Sequence, residues 1–471
     1  MSELIISVSG LRGVVGGELT PEVAMRYALA FSAVLPSGCI VVTRDGRSSG
    51  EMLADVIHAS LNAVGRETYD AGITATPTTG IIIRQLSAVG GIQITASHNP
   101  VEFNGMKLFS AEGRVIPKDA GAAVLQQYKK LQPDWVDTAS IGKRQICRST
   151  TTDHQKAIAR TINLDAVAAK KFRVLLDANH GAGAVLGAWL FDELECNVTI
   201  IGENPTGQFL HTPEPTEENL RGICDIVKNG NFDIAFCQDP DADRVAVIDE
   251  SGRYIGEELT VAICLEHILK NGSQNDKQAK TKTESPTDGI AAKIPFRRKR
   301  GSVVINCATS RVNEDIAKRY GVPLYRSAVG EANVVDLMLE KGAVFGGEGN
   351  GGTIDPEVGL VRDSFVGMAQ ILDKMAESGS RISEIADDLP KYHLVKRKAN
   401  VELAKVSRIL DKVADNFAGL PCDRLDGLRI DHGDAWVLLR GSNTEPIIRI
   451  FAEAPDEKQA NKLCDEIEKL I

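Results

Sequence analysis

Four short polar segments carry residue types that could do chemistry. The first is Thr95-Ala96-Ser97-His98-Asn99-Pro100, which sets a hydroxyl beside an imidazole after a short apolar run. Such an imidazole can orient the hydroxyl or take its proton, and Lys107 follows closely with a positive charge. The second is Asp239-Pro240-Asp241-Ala242-Asp243-Arg244. Carboxylates at alternate positions of a tight turn can converge on one hard cation, and Mg²⁺ favours oxygen ligands and phosphate. The spacing imitates the start of an EF-hand loop, and Glu250 even falls at its twelfth position. Arg244 stands where that loop needs glycine, however, and apolar strand patterns flank the turn instead of helices.

The third segment, Gly346-Gly347-Glu348-Gly349-Asn350-Gly351-Gly352, surrounds an acid and an amide with glycine. Glycine lets the backbone approach a ligand closely, and Glu348 and Asn350 could bond vicinal hydroxyls. The fourth is Arg440-Gly441-Ser442-Asn443-Thr444-Glu445-Pro446, with Arg449 beyond. Hydroxyls, an amide and two guanidinium groups suit a dianionic phosphate. Arg12 in Gly10-Leu11-Arg12-Gly13, and Arg44 and Arg47 in Arg44-Asp45-Gly46-Arg47, add cations at strand ends that could face an anion. Each segment has a plainer alternative: a chance Ser-His pair, a solvated acidic turn, a glycine hinge, a hairpin with an ordinary ion pair.

Positioning such loops requires strands and helices in alternation. Apolar runs at 39–42, 90–95, 173–177, 198–201, 234–238, 302–306, 323–327 and 343–346 read as strands. Helical periodicity at 50–63, 183–193, 218–228, 312–320 and 330–341 fills the gaps. That alternation predicts βαβ units on mostly parallel sheets, whose sites lie at strand ends. The C-terminal stretch differs: strands at 428–431, 435–440 and 447–454 follow one another before a helix at 456–471, which predicts a small α+β domain. The segment 271–300 is rich in Lys, Thr, Gln and Ser, ends in Arg297-Arg298-Lys299-Arg300 and reads as a solvated surface insertion.

The 471 residues exceed what one core holds and suggest about three domains. A net charge of −10 argues against nucleic acid as a partner. Nine scattered cysteines, never in a C-x-x-C pair, argue against a disulfide framework or structural zinc and fit a reducing cytoplasm. No apolar run reaches the roughly 20 residues that span a bilayer, and the start has an acid where a signal peptide carries bases.

In order and content the four loops resemble the α-D-phosphohexomutase family of phosphoglucomutases, phosphomannomutases and phosphoglucosamine mutases. The resemblance runs from Gly10 to Arg449, supported by Asp177-Ala178-Asn179-His180-Gly181-Ala182-Gly183 and Pro213-Glu214-Pro215-Thr216. It implies an α/β fold of four domains around a central cleft, three of them α/β and the last a smaller α+β domain. The expected bounds are 1–148, 149–253, 254–385 and 386–471. It implies Ser97 as a phosphoserine, with Arg12, His98 and Lys107 around it. It implies one Mg²⁺ held by Asp239, Asp241, Asp243 and Ser97, with Arg244 closing that loop. Glu348 and Asn350 would recognise the sugar; Arg440, Ser442, Asn443, Thr444 and Arg449 would bind phosphate. The implied reaction interconverts hexose 1-phosphate and hexose 6-phosphate of glucose or mannose through a hexose bisphosphate, which also serves as activator. A phosphoglucosamine mutase is the nearest alternative, and a non-catalytic phosphosugar-binding protein an alternative of another class. Several family members carry a lysine and a histidine where this chain has Ala328 and Gly352, so a base role at those positions does not transfer.

Overall fold

The computed structural model describes residues 5–7, 10–281, 301–442 and 446–471. Four sheets organise them. The first contains, in spatial order, Ile5–Ser7, Gly10–Val14, Phe103–Ser110, Gly90–Ile94, Ile40–Arg44, Thr68–Ile73 and Arg144–Ile146. Its last four strands pair in parallel and the others antiparallel. The second orders Val245–Asp249, Ile234–Gln238, Arg173–Asp177 and Asn197–Ile201, antiparallel only at its first pair. The third orders Leu324–Ser327, Val303–Asn306, Phe345–Glu348 and Gly352–Ile354, antiparallel only at its last pair. The fourth, from His393–Asn400 to Cys422–Asp423, is antiparallel throughout. The chain thus has the expected four-domain architecture, with a smaller C-terminal sheet.

Local sequence explains the elements. Helix Pro21–Val34 starts with proline at its first turn, and the Thr20 side chain accepts from Val23 N. Helix Ser364–Ser378 is capped by Asp363, which accepts from Phe365 and Val366 N, and ends at Gly379 in the left-handed region. That helix is buried from Ser364 to Met375 and packs on Gly256–Thr281 and Leu164–Lys170. In consequence the second and third sheets share one apolar core, from Val174 and Phe236 to Phe345 and Phe365. The first and fourth domains each keep their own.

Polar contacts tie the domains together. His154 Nε2 pairs with Asp363 at 2.6 Å and its Nδ1 with Thr78 Oγ1 at 2.9 Å, joining three domains at one buried imidazole. Arg429 Nη1 donates to Cys307 O at 2.8 Å between the third and fourth.

Some expectations shift. The helix expected at 218–228 begins at Arg221, because the chain first turns through Leu220 N donating to Thr216 O. The insertion expected at 271–300 is not a loop throughout: Gly256–Thr281 is one helix. Its first half is anchored in the apolar core from Val261 to Leu269, and the helix runs on from that anchor. Residues 282–300, with the basic run at Arg297–Arg300, lie outside the described residues.

Candidate active site

Ser97 lies just past strand Gly90–Ile94, and Asp239, Asp241 and Asp243 just past Ile234–Gln238. Both are strand ends of the kind open α/β sheets use for ligands. All four side chains are buried. Ser97 Oγ donates to Asp239 Oδ2 at 2.7 Å across the first and second domains. The three aspartates each place a carboxylate oxygen within 4.8 Å of the others.

The triad is not the unpaired cluster that its sequence suggests. Lys107 Nζ sits 2.6 Å from Asp241 Oδ2 and 2.7 Å from Asp243 Oδ2. Arg362 Nη2 donates to Asp243 Oδ2 at 2.6 Å, and Thr76 Oγ1 to Asp241 Oδ2 at 2.5 Å. Arg244 approaches Asp243 Oδ1 at 3.7 Å and Asp239 Oδ2 at 4.0 Å. Asp241 Oδ1 and Asp243 Oδ1 remain buried without a hydrogen-bond partner. Burial and repulsion by Asp241 and Asp243 push the Asp239 carboxyl well above its ordinary range. A buried all-oxygen donor set with two orphaned oxygens and a serine hydroxyl beside it fits a hard divalent cation. A second group, His267, Asp373 and Glu377, could also hold a metal by spacing, but His267 Nε2 already bonds Asp373 Oδ2 at 2.9 Å.

His98 Nδ1 is 3.4 Å from Ser97 Oγ. The charge of Arg244, then burial, hold its imidazole well below the usual value, so it is neutral at pH 7. Arg12 lies in strand Gly10–Val14 opposite Gly105. Burial lowers its pKa while Asp241 and Asp243 pull it up. Burial also works against the Lys107 ammonium, but Asp241 and Asp243 outweigh it and the net shift is upward.

In the glycine loop, Glu348 is saturated from within. Its Oε1 accepts from Asn306 Nδ2 at 2.7 Å and Gly330 N at 2.9 Å, and its Oε2 from Arg362 Nη1 at 2.7 Å. With its amide turned to satisfy both ends, Asn350 accepts from Arg362 Nη1 at 2.9 Å. Gly351 has φ +80°, and a Cβ there would fall 2.2 Å from Val245 O, so glycine is obligatory where this loop meets the second sheet.

In the fourth domain, Arg440 pairs across strands with Arg449, and Arg449 with Lys398. Directly opposed residues share a face, so three cations line up there. Arg440 Nε donates to Asp426 Oδ2 at 2.8 Å. Ser442 is buried, its backbone N bonded to Ile447 O at 3.0 Å. Asn443 and Thr444 lie outside the described residues.

Sequence reasoning missed Arg362, Thr76, Lys398 and Glu258. Arg362 joins the acidic loop to the glycine loop, and its backbone N also bonds Glu331 Oε1 at 2.8 Å. The Glu258 carboxylate lies against Gly349, accepts from Ser310 N at 3.0 Å and is lifted by burial to about 8. Only the Arg362-Asp363-Ser364 run before a helix offered a signal for any of these. Replacing Arg362 with methionine will leave Asp243, Glu331 and Glu348 buried without their shared countercharge. The expected cost is about 3–5 kcal/mol, read as a lowered urea midpoint; an unchanged midpoint contradicts this account of the network.

The fold and these loops define a four-domain α/β protein with a hydroxyl loop and an acidic cation-type loop meeting at Ser97 and Asp239. Four domain models described as phosphoglucomutase/phosphomannomutase match this chain: alpha/beta/alpha domains I, II and III over 4–134, 152–252 and 259–392, and the C-terminal domain over 394–470. The chain belongs to the phosphoglucomutase/phosphomannomutase family. A phosphoglucomutase/phosphomannomutase of Thermococcus kodakarensis is 35% identical, over 98% of this chain and 97% of that protein. A "probable phosphoglucosamine mutase" of Pyrococcus horikoshii is 30% identical, over 98% and 96%. The crystal structure of a phosphoglucomutase/phosphomannomutase family protein from Burkholderia thailandensis superimposes with a TM-score of 0.82 at 23% identity, over 99% of this chain and 96% of that one. No helix among the described residues is long and apolar enough to cross a membrane.

Proposed function

We propose that this enzyme interconverts hexose 1-phosphate and hexose 6-phosphate of glucose or mannose, with Ser97 carrying the phosphoryl group. The observation that carries this reading is Ser97 Oγ at 2.7 Å from Asp239 Oδ2, where the hydroxyl loop of one domain meets the acidic loop of the next.

Phosphoryl transfer needs positioning and charge neutralisation more than covalent help. Phospho-Ser97 gives its group to the free hydroxyl of hexose 1-phosphate: the Ser97 Oγ–P bond breaks, an O–P bond to the sugar forms, and the proton of the sugar hydroxyl ends on Ser97 Oγ. The bisphosphate turns over in the cleft. Its other phosphoryl group then returns to Ser97 Oγ, and hexose 6-phosphate leaves with a proton restored to the freed hydroxyl. His98, neutral and 3.4 Å from Ser97 Oγ, is the nearby proton acceptor when Ser97 is the attacking group. Asp239, Asp241, Asp243 and Ser97 would hold one Mg²⁺, which when bound neutralises charge on the transferring group. Lys107, Arg12 and Arg244 add fixed positive charge around the same loop. Glu348, Asn350 and Arg362 shape the sugar subsite. Arg440, Arg449, Lys398 and Ser442, with Asn443 and Thr444 of the same segment, anchor whichever phosphate is not reacting.

Arg449→Ala will raise KM for the hexose phosphate about 10- to 100-fold and change kcat less, as loss of a charge-assisted hydrogen bond predicts. Steady-state kinetics with an unchanged KM contradict that role. The substrate assignment is tested by a panel of glucose, mannose and glucosamine 1-phosphates, each primed with the matching bisphosphate. The expected result is isomerisation of the glucose or mannose compounds without release of inorganic phosphate. The 30% identity to a relative named for glucosamine is the ground for a second reading, a phosphoglucosamine mutase, and turnover of the amino sugar faster by orders of magnitude establishes it. Release of phosphate without isomerisation contradicts both.

A further inference from the structure

Arg47 is one of the strand-end cations that could have faced an anion. Instead every donor of its guanidinium is used inside the protein. Nη2 donates to Ser97 O at 2.7 Å and Asn99 O at 2.6 Å. Nη1 donates to Pro100 O at 2.6 Å and Phe103 O at 2.9 Å. Nε donates to Asp45 Oδ2 at 3.2 Å, and the side chains of both residues are 0% exposed. Four carbonyls of the serine loop therefore converge on one planar cation that has nothing left for a substrate.

The loop needs such a device. Ser97 has φ +50°, a left-handed conformation that costs an ordinary residue about 1–2 kcal/mol. Such strain persists only where the surroundings over-determine it. Arg47 fixes the carbonyl side of Ser97. On the amide side, Ser97 N donates to Thr95 Oγ1 at 2.9 Å, and Thr95 Oγ1 donates to Asp45 Oδ2 at 2.6 Å. Asp45 thus holds both arms of the brace. The second domain closes it: the Phe209 ring lies 5.0 Å from Arg47 Cζ, and Gly207 packs so tightly that a Cβ there would fall 2.6 Å from Arg47 Cα.

We propose that Arg47 is the positioning residue of the serine loop, braced by Asp45 and covered by Phe209, and that it sets the rate of phosphoryl transfer by fixing the strained turn that aims Ser97 Oγ at Asp239. This inference rests on the reading of Ser97 as phosphoryl carrier. Arg47 touches neither substrate nor Asp239. Its effect falls on kcat, because it holds the reacting oxygen rather than the ligand. Lysine cannot replace it, since an ammonium lacks the planar fork that reaches four carbonyls.

The test uses full-length wild type, Arg47→Lys and Arg47→Gly. Loading of Ser97 from glucose 1,6-bisphosphate is followed by intact mass, with kcat, KM and amide hydrogen exchange over residues 96–103. The variants are expected to lose about 10²-fold in loading rate and kcat, with KM within about two-fold, and to exchange faster over 96–103. Guanidinium ion at non-denaturing concentration should restore at least a tenth of the wild-type kcat to Arg47→Gly and leave Arg47→Lys unimproved. Three results overturn the proposal: Arg47→Lys loading as fast as wild type, a loss confined to KM, or slowed loading with exchange over 96–103 unchanged. A variant too unstable to assay in Arg47→Gly form leaves Arg47→Lys to decide by the same criteria. Wild-type protein that never loads Ser97 overturns the underlying reading instead.

Discussion

Replacing Ser97 with alanine will lower kcat by at least about 10³-fold and leave the fold in place. The size follows from the proposed chemistry. Ser97 Oγ is the protein atom that bonds to phosphorus in this chemistry, and removal of a covalent nucleophile leaves only binding and electrostatic help. The structural cost is small by comparison. The variant loses the hydrogen bond from Ser97 Oγ to Asp239, worth about 1 kcal/mol, and the longer 3.4 Å contact with His98 Nδ1. Alanine meets the same left-handed backbone, braced by the same partners of Ser97 N and O. Kinetics beside a thermal melt check both halves. A variant that keeps a tenth of wild-type kcat contradicts the nucleophile, and one that fails to fold contradicts the claim that the turn is held from outside the side chain.

Stripping divalent cations will have the next largest effect. Chelation is expected to lower kcat by about 10³-fold, with Mg²⁺ restoring it, and Asp239→Asn should weaken Mg²⁺ binding and lose about 10²-fold even at saturating metal. Lys107 and Arg362 already face Asp241 Oδ2 and Asp243 Oδ2, so the apo loop is tolerable. Asp241 Oδ1, Asp243 Oδ1 and the strongly perturbed Asp239 are left to face a cation beside Ser97. Chelated enzyme with full turnover would show that Lys107, Arg12 and Arg244 neutralise the phosphoryl group alone.

How much of this was legible in the sequence depends on how far apart the partners lie. The serine and acidic loops could be read because their chemistry is local: Ser97 beside His98, three aspartates in five residues. Strands such as Arg173–Asp177 and helices such as Gly183–Glu193 were legible because apolar runs of the right length stand between turn residues. Helix Ser364–Ser378 was not, since a helix buried on nearly every side has no polar face to mark its period. Arg362 was invisible because Asp243 lies 119 residues away, and a charge means little until its partner is known. The role of Arg47 was illegible for the same reason: in sequence it is a cation at a strand end, and only the fold brings the carbonyls of Ser97, Asn99, Pro100 and Phe103 around it. The count of about three domains also has a structural echo, since the second and third sheets share a core although they are separate sheets.

The reading of Ser97 as phosphoryl carrier is tested most directly by intact mass and peptide mapping of the full-length enzyme after incubation with glucose 1,6-bisphosphate and Mg²⁺. The account predicts one phosphoryl group, located on Ser97, that passes to added glucose 6-phosphate or glucose 1-phosphate and is absent from Ser97→Ala. A phosphoryl group on another residue, or isomerisation with Ser97 never labelled, contradicts it.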